Sequence, residues 1–321
     1  MTESDTIVEA LDARVRRRNE RREFFSRAFG AAALTTAGAV ALSRSGPARA
    51  QAVTDADILN FALNLEYLEA QFYSFAATGE GLPQSMLGGM SQQGAVNGGR
   101  RVDFQDPVVA QYAREIAGDE RAHVTFLREQ LASAAVAQPA IDISATPTSA
   151  FSGAARAAGL IGTGETFDPY ANDQNFLLGA FIFEDVGVSA YKGAAALITN
   201  KTYLEAAAGI MAVEAYHAAI LRTTLYSKGV ETPMIRDSVQ KISDARDSLD
   251  GRDDRDQGIS PVEDDNDELM SNVALVDDNA LAFGRTTAQV LNIVYLNNAA
   301  ATMGGFFPAG VNGTIRSSAA N

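Results

Sequence analysis

The chain has two histidines and no cysteine, and each histidine stands three residues after a glutamate: Glu120-Arg121-Ala122-His123 and Glu214-Ala215-Tyr216-His217. Residues i and i+3 share one face of an α-helix, so each pair offers a carboxylate and an imidazole to a common point. The absence of thiols excludes disulfides, cysteine-based zinc and iron–sulfur sites and cysteine nucleophiles, which leaves oxygen and imidazole donors for any metal chemistry. The surroundings of the two pairs repeat: Ile116, Glu120, His123 and Leu127 correspond to Ile210, Glu214, His217 and Leu221. Two more glutamates are spaced alike, Glu66 seven residues before Tyr73 and Glu184 seven before Tyr191. Seven residues make about two helical turns, which puts each tyrosine on the face of its glutamate. Both glutamates are embedded in apolar sequence, where a carboxylate needs a compensating partner. Glu69, one turn from Glu66, can be read as a ligand, a base beside the ligands or an exposed residue; the match to the Glu184 and Tyr191 spacing favours Glu66 as the donor. Together these repeats point to an internal duplication of a helical hairpin.

The elements that must carry these residues are helices. Residues 55–77 keep Ile58, Leu59, Ala62, Leu65, Leu68, Phe72 and Phe75 at helical spacing, with Thr54 as the expected N-cap. A Gly-, Ser- and Gln-rich segment over 79–101 follows, and Pro107 opens a second helix predicted to run to about 135. Prolines and glycines over 137–172 predict a long crossover or lid. A third helix is expected over about 173–199 and a fourth over about 201–227, stopped at Gly229. A short first linker, a long crossover and a tight turn describe an all-α four-helix bundle with one crossover connection. Beyond it, residues 244–278 are rich in aspartate, including Asp253, Asp254, Asp256, Asp264, Asp265 and Asp267, and read as a solvated loop without the ligand spacing of an EF-hand. A final amphipathic helix is predicted over about 285–301, ahead of the tail Gly304-Gly305-Phe306-Phe307-Pro308.

Glu, then Glu-x-x-His, then Glu, then Glu-x-x-His over four helices resembles the ferritin-like di-iron and di-manganese carboxylate proteins. The resemblance covers residues 53–228 and implies Glu66, Glu120, His123, Glu184, Glu214 and His217 as ligands of two metal ions, iron or manganese. It further implies Glu120 and Glu214 as bridges between the ions, and Tyr73, Tyr191 and Glu69 as neighbours that orient or assist the ligand carboxylates. Four carboxylates and two neutral imidazoles balance two divalent ions in formal charge. More narrowly, Leu65-Glu66-Tyr67-Leu68-Glu69-Ala70, the Gly-Gly-Phe-Phe-Pro tail and the N-terminal segment look like ferritin-like proteins related to plant desiccation-related proteins. The resemblance implies redox chemistry on ferrous iron, dioxygen or peroxide, as a ferroxidase or in the manner of a manganese catalase. The alternative is a non-catalytic stress or desiccation protein with a structural metal site.

The 321 residues, 46% hydrophobic and 21% charged, suffice for one substantial core. The net charge of −14 argues against duplex nucleic acid as a partner, which requires a dense Lys/Arg footprint, and suits a cationic partner or metal ions better; a small-molecule oxidant is the partner that the redox reading adds. Arg14, Arg16, Arg17, Arg18, Arg21, Arg22 and Arg27 precede an apolar run over 28–42 that ends at Ala48-Arg49-Ala50. That run is short for a spanning helix and reads as a cleaved signal peptide over 1–50, with no stable membrane span afterwards. Arg21-Arg22-Glu23-Phe24-Phe25 resembles a twin-arginine export signal, with Ser26 where lysine is common, and predicts a periplasmic or otherwise exported protein. Cleavage removes nine basic and six acidic residues and leaves a mature charge of −17. The expected organisation is therefore signal (1–50), bundle (51–228) and acidic, partly helical extension (229–321). A homo-oligomer is compatible with all of this.

Overall fold

A computed structural model describes residues 53–264 and 266–321; the signal-peptide reading lies outside the described residues. Helix α1 (Asp55–Thr78) starts from a reciprocal cap: the Thr54 hydroxyl accepts from the Asp57 amide, and the Asp57 carboxylate accepts from that of Thr54. It ends at Gly79, whose φ of 89° a side chain would oppose. Helix α2 (Pro107–Leu131) has Asp106 as its cap and proline in its first turn. After α3 (Ala150–Ala157), α4 (Asp173–Ala195) begins at the Asn172 cap, and α5 (Lys201–Glu231) begins at Asn200, whose side-chain Oδ1 accepts from the amides of Thr202 and Tyr203.

These helices form two antiparallel hairpins, α1 with α2 and α4 with α5, packed so that α1 meets α4. Helices α1 and α4 are apolar around most of their circumference and are buried around it, whereas α2 and α5 each expose one side. Helix α5 is long and apolar enough by composition to cross a membrane, yet it carries Glu214 and His217 inside the bundle.

The crossover is built into the core and does not act as a lid. Its strand β2 (Ile141–Ile143) pairs in parallel with β1 (Val96–Gly98), and Ile141, Ile143, Phe151 and Tyr170 are fully buried. Phe151 packs against Phe72 and Phe183 with ring centroids 5.3 and 5.7 Å apart. Its prolines and glycines mark turns, but the apolar residues between them fill one end of the bundle.

Several boundaries differ from the predicted ones. Helix α5 passes through Gly229 to Glu231, because that glycine accommodates a crossing side chain: a Cβ there would lie 2.5 Å from Arg236 Cγ. Helix α2 stops at Leu131, where Ala132 adopts φ 48°, and α4 stops at Ala195. The acidic extension contains a helix, α6 (Met234–Asp250), on which Ile235, Val239, Ile242 and Arg246 form one buried stripe. Asp250 and Asp256 are buried as well, against the expectation of a solvated loop. Two short strands, β3 (Val262–Glu263) and β4 (Leu269–Met270), pair antiparallel on the exposed part of that segment. Helix α7 (Thr287–Val294) is shorter than predicted, closing where Leu296 takes φ 54°. Phe306 of the tail inserts against Phe151 and Phe183, centroids 5.1 and 4.9 Å away, so the described residues share one compact unit.

Candidate metal centre

The six predicted ligands come together midway along the bundle, Glu66 from α1, Glu120 and His123 from α2, Glu184 from α4, and Glu214 and His217 from α5. All six are buried. His123 Nδ1 lies 3.1 Å from Glu66 Oε2, 3.6 Å from Glu120 Oε2 and 3.7 Å from Glu214 Oε1. His217 Nδ1 lies 3.0 Å from Glu120 Oε1 and 3.5 Å from Glu184 Oε2. The donors thus fall into two groups, Glu66, Glu120, His123 and Glu214 in one and Glu120, Glu184 and His217 in the other, with the donor atoms of each within 4.8 Å of one another. Glu120 belongs to both groups, one oxygen to each histidine. Glu214 belongs to the first group only, so of the two expected bridges the geometry places Glu120 between the groups.

The electrostatics of this cluster ask for cations. Among the described residues, no lysine or arginine pairs with Glu66, Glu69, Glu120, Glu184 or Glu214, and the histidines are the partners of all but Glu69. Burial, with the Glu66 charge added, pushes the Glu120 carboxyl up to about 7. Burial and the surrounding carboxylates hold Glu69 and Glu214 well above their ordinary range. Burial is the largest influence and works to raise Glu66, but the His123 charge together with hydrogen bonds to His123, Glu120 and Tyr191 holds it below its usual value. Burial disfavours the imidazolium forms, yet Glu66 and Glu120 together raise His123 to about 10, and Glu184 and Glu120 together raise His217 to about 12. Both oxygens of Glu120 and of Glu214, Glu184 Oε2 and His217 Nδ1 are buried without hydrogen-bond partners. Orphaned oxygens and an orphaned imidazole nitrogen converging on two points fit a pair of hard or borderline cations.

The tyrosines brace the centre across the hairpins. The Tyr73 hydroxyl on α1 donates to Glu184 on α4, and the Tyr191 hydroxyl on α4 donates to Glu66 on α1. Each therefore orients the glutamate of the opposite helix, whereas the spacing placed it beside its own. Burial and the neighbouring carboxylates push both phenols well above their ordinary value, so both remain donors. Glu69 lies beside the ligands and in neither donor group.

Asp119 was not singled out by sequence. Its Oδ2 lies 3.2 Å from His217 Nε2, which fixes that ring with Nδ1 facing the carboxylates. The repeat conceals it, because the position corresponding to Asp119 is Val213 and His123 has no matching carboxylate among the described residues. The His123 side chain is 10% exposed and that of His217 only 2%. Asp119 is 46% exposed and, with Tyr112, Glu115, Tyr216 and Thr223, lines an open groove between α2 and α5 that reaches His217. Leu65, Leu68, Phe183, Val186, Val294 and Phe306 form a buried apolar wall beside Glu69 and Gly187.

A second acidic group, Asp247, Asp250 and Asp256, is already served by arginines. Arg285 Nε lies 2.6 Å from Asp250, Arg246 lies 2.6 Å from Asp256, and Arg285 also binds Asp256. The same network reaches Asp185, next to the ligand Glu184, through Arg222 and Arg246, each at 2.9 Å.

Comparison with known proteins gives three findings. The profile of the ferritin-like domain matches residues 54–227. Desiccation-related protein PCC13-62 of Craterostigma plantagineum is 31% identical over 253 residues, covering 74% of this chain and 76% of that protein. Ferritin-like catalase Nec2 of Nesocodon mauritianus is 27% identical over 272 residues, covering 81% and 84%. No solved structure matches the chain.

Proposed function

Because this chain belongs to the ferritin-like domain family, we propose that its buried Glu/His cluster holds two redox-active ions, iron or manganese, and that the protein is an exported oxidoreductase consuming peroxide in stress defence. The observation that carries this reading is the set of six buried donors converging in two groups without a lysine or arginine partner. When bound, such a pair supplies two-electron redox chemistry toward peroxide or dioxygen. Glu66, His123 and Glu214 would hold one ion, Glu184 and His217 the other, and Glu120 would span both.

The chain's own residues then have separable tasks. Tyr73 and Tyr191 donate to the outer carboxylates and fix their orientation, while Asp119 accepts from His217 Nε2 and leaves the Nδ1 lone pair free to ligate. The buried apolar wall by Glu69 lowers the polarity beside the site. The groove between α2 and α5 leads to the edge of His217, and the burial of all six donors suits a small oxidant. Peroxide is favoured over ferrous iron as substrate because one relative is named a catalase.

A second reading, a desiccation protein whose metals are structural, is favoured by the name of the other relative. Metal analysis followed by peroxide and oxygen consumption on the same sample separates the two. Two ions with turnover support the oxidoreductase, and two ions that raise the melting temperature without turnover support the structural role. Export rests on Arg21-Arg22 and Ala48-Arg49-Ala50; N-terminal sequencing of the mature protein should begin at Gln51, and an intact Met1 terminus on the exported protein would refute cleavage.

A further inference from the structure

The two halves of the centre break the sequence repeat at one telling pair of positions. The spacing that matches Glu66 with Glu184 and Tyr73 with Tyr191 matches Glu69 on α1 with Gly187 on α4. Within its own hairpin Glu120 faces the side chain of Glu69, whereas its counterpart Glu214 faces a bare backbone. A Cβ on Gly187 would lie 2.1 Å from Glu214 Oε2 and 3.0 Å from Glu214 Cδ, well inside contact. The next nearest atom is Glu69 Oε1 at 3.6 Å, an ordinary distance, so the conflict is with Glu214 alone. Glu214 therefore occupies the space the missing side chain leaves, with Oε2 over α4 and Oε1 toward His123. This accounts for Glu120 standing in both donor groups and Glu214 in one.

We propose that Gly187 is a positioning residue of the metal centre, giving Glu214 a resting place on α4 so that Glu120 alone joins the two donor groups and the facing side of the pair stays free for a small anion or hydroperoxide. The proposal rests on the dimetal reading above and adds to it the residue that keeps a position open. Glycine is otherwise unfavourable in a helix interior, and here its lack of a Cβ is used by a ligand carboxylate.

The test uses the full mature chain loaded anaerobically with manganous ion, with azide as the probe. Ions are counted by elemental analysis, and azide binding is followed by the electron paramagnetic resonance of the manganese. Wild type should bind two ions and azide. Gly187→Ala should keep two ions and melt, metal-free, no lower than wild type, since alanine favours helix. Its azide affinity should fall at least about tenfold, because the new Cβ drives Glu214 onto the pair. Gly187→Ala with Glu214→Asp, whose acid is one methylene shorter, should bind azide again. Unchanged azide affinity in Gly187→Ala with two ions bound overturns the proposal, and so does loss of an ion from that variant, which would make Gly187 a requirement of ligation itself. Should the single variant not fold, the double variant decides: azide bound supports the proposal, and two ions without azide overturns it. Wild type binding fewer than two ions would instead remove the metal centre, a separate failure.

Discussion

Asp119 and the histidines carry the most local predictions. If Asp119 holds the His217 ring with Nδ1 inward, Asp119→Asn should weaken metal binding about 10- to 100-fold while leaving the metal-free fold intact, because the residue is half exposed and serves only that ring. Equilibrium dialysis against a competing chelator reads this directly, and unchanged affinity would remove Asp119 from the site. The pH dependence follows from the same cluster. His123 and His217 have folded values of about 10 and about 12, above the ordinary 6.5, so their contribution to the metal-free fold is complete below 6.5 and is lost as pH rises through those values. Glu120, raised from 4.5 to about 7, adds a loss in the same direction through neutral pH. The metal-free protein is therefore expected to melt progressively lower from pH 6 to 10, while metal affinity rises as protons leave the donors. Loading two ions at pH 8 should release at least two protons into weakly buffered solution, and a release near zero would show that these histidines do not give up protons to the metal. At this scale the sequence was informative wherever chemistry repeats: both Glu-x-x-His pairs and both glutamate–tyrosine pairs were legible from spacing. Asp119 and Gly187 were not, because each matters through a contact that its counterpart, Val213 or Glu69, does not make.

Among the elements, the starts of α1, α2 and α4 could be read from Thr54, Pro107 and Asp173, since capping and first-turn chemistry is local. Helix α6 could not, because its buried stripe of Ile235, Val239 and Ile242 is narrow and lies among aspartates that resemble a solvated loop. Those acids are matched in space by Arg222, Arg246 and Arg285, which come from three separate parts of the chain. Arg222 is fully buried and donates to Asp185 and to the carbonyls of Gln257, Gly258, Asn272 and Val273, tying the extension to α4 and α5. Arg222→Ala leaves Asp185 with less of its compensation and should destabilise the protein by about 3–5 kcal/mol, measured by denaturant unfolding of the metal-free form. A loss under about 1 kcal/mol, the range of an exposed pair, would mean that the network holds the extension only weakly.

For the molecule as a whole, the bundle and its duplicated hairpin were legible because helical periodicity and metal-ligand spacing reinforce each other. How far residues 229–321 and the crossover share the bundle's core was not, because Phe151 and Phe306 meet Phe183 only in three dimensions. The extension thereby belongs to the centre's architecture: Val294 and Phe306 complete the buried apolar wall beside Glu69. The net charge of −14 opposes the approach of large anions, so peroxide is a better fit than an anionic organic substrate. The most direct measurement is elemental analysis of purified mature protein after anaerobic titration with ferrous or manganous ion, run in parallel on His123→Ala and Asp253→Ala. Two tightly held ions per chain in wild type and in Asp253→Ala, with at least one lost from His123→Ala, are expected. No bound metal in wild type, or two ions retained by His123→Ala, would contradict the dimetal centre.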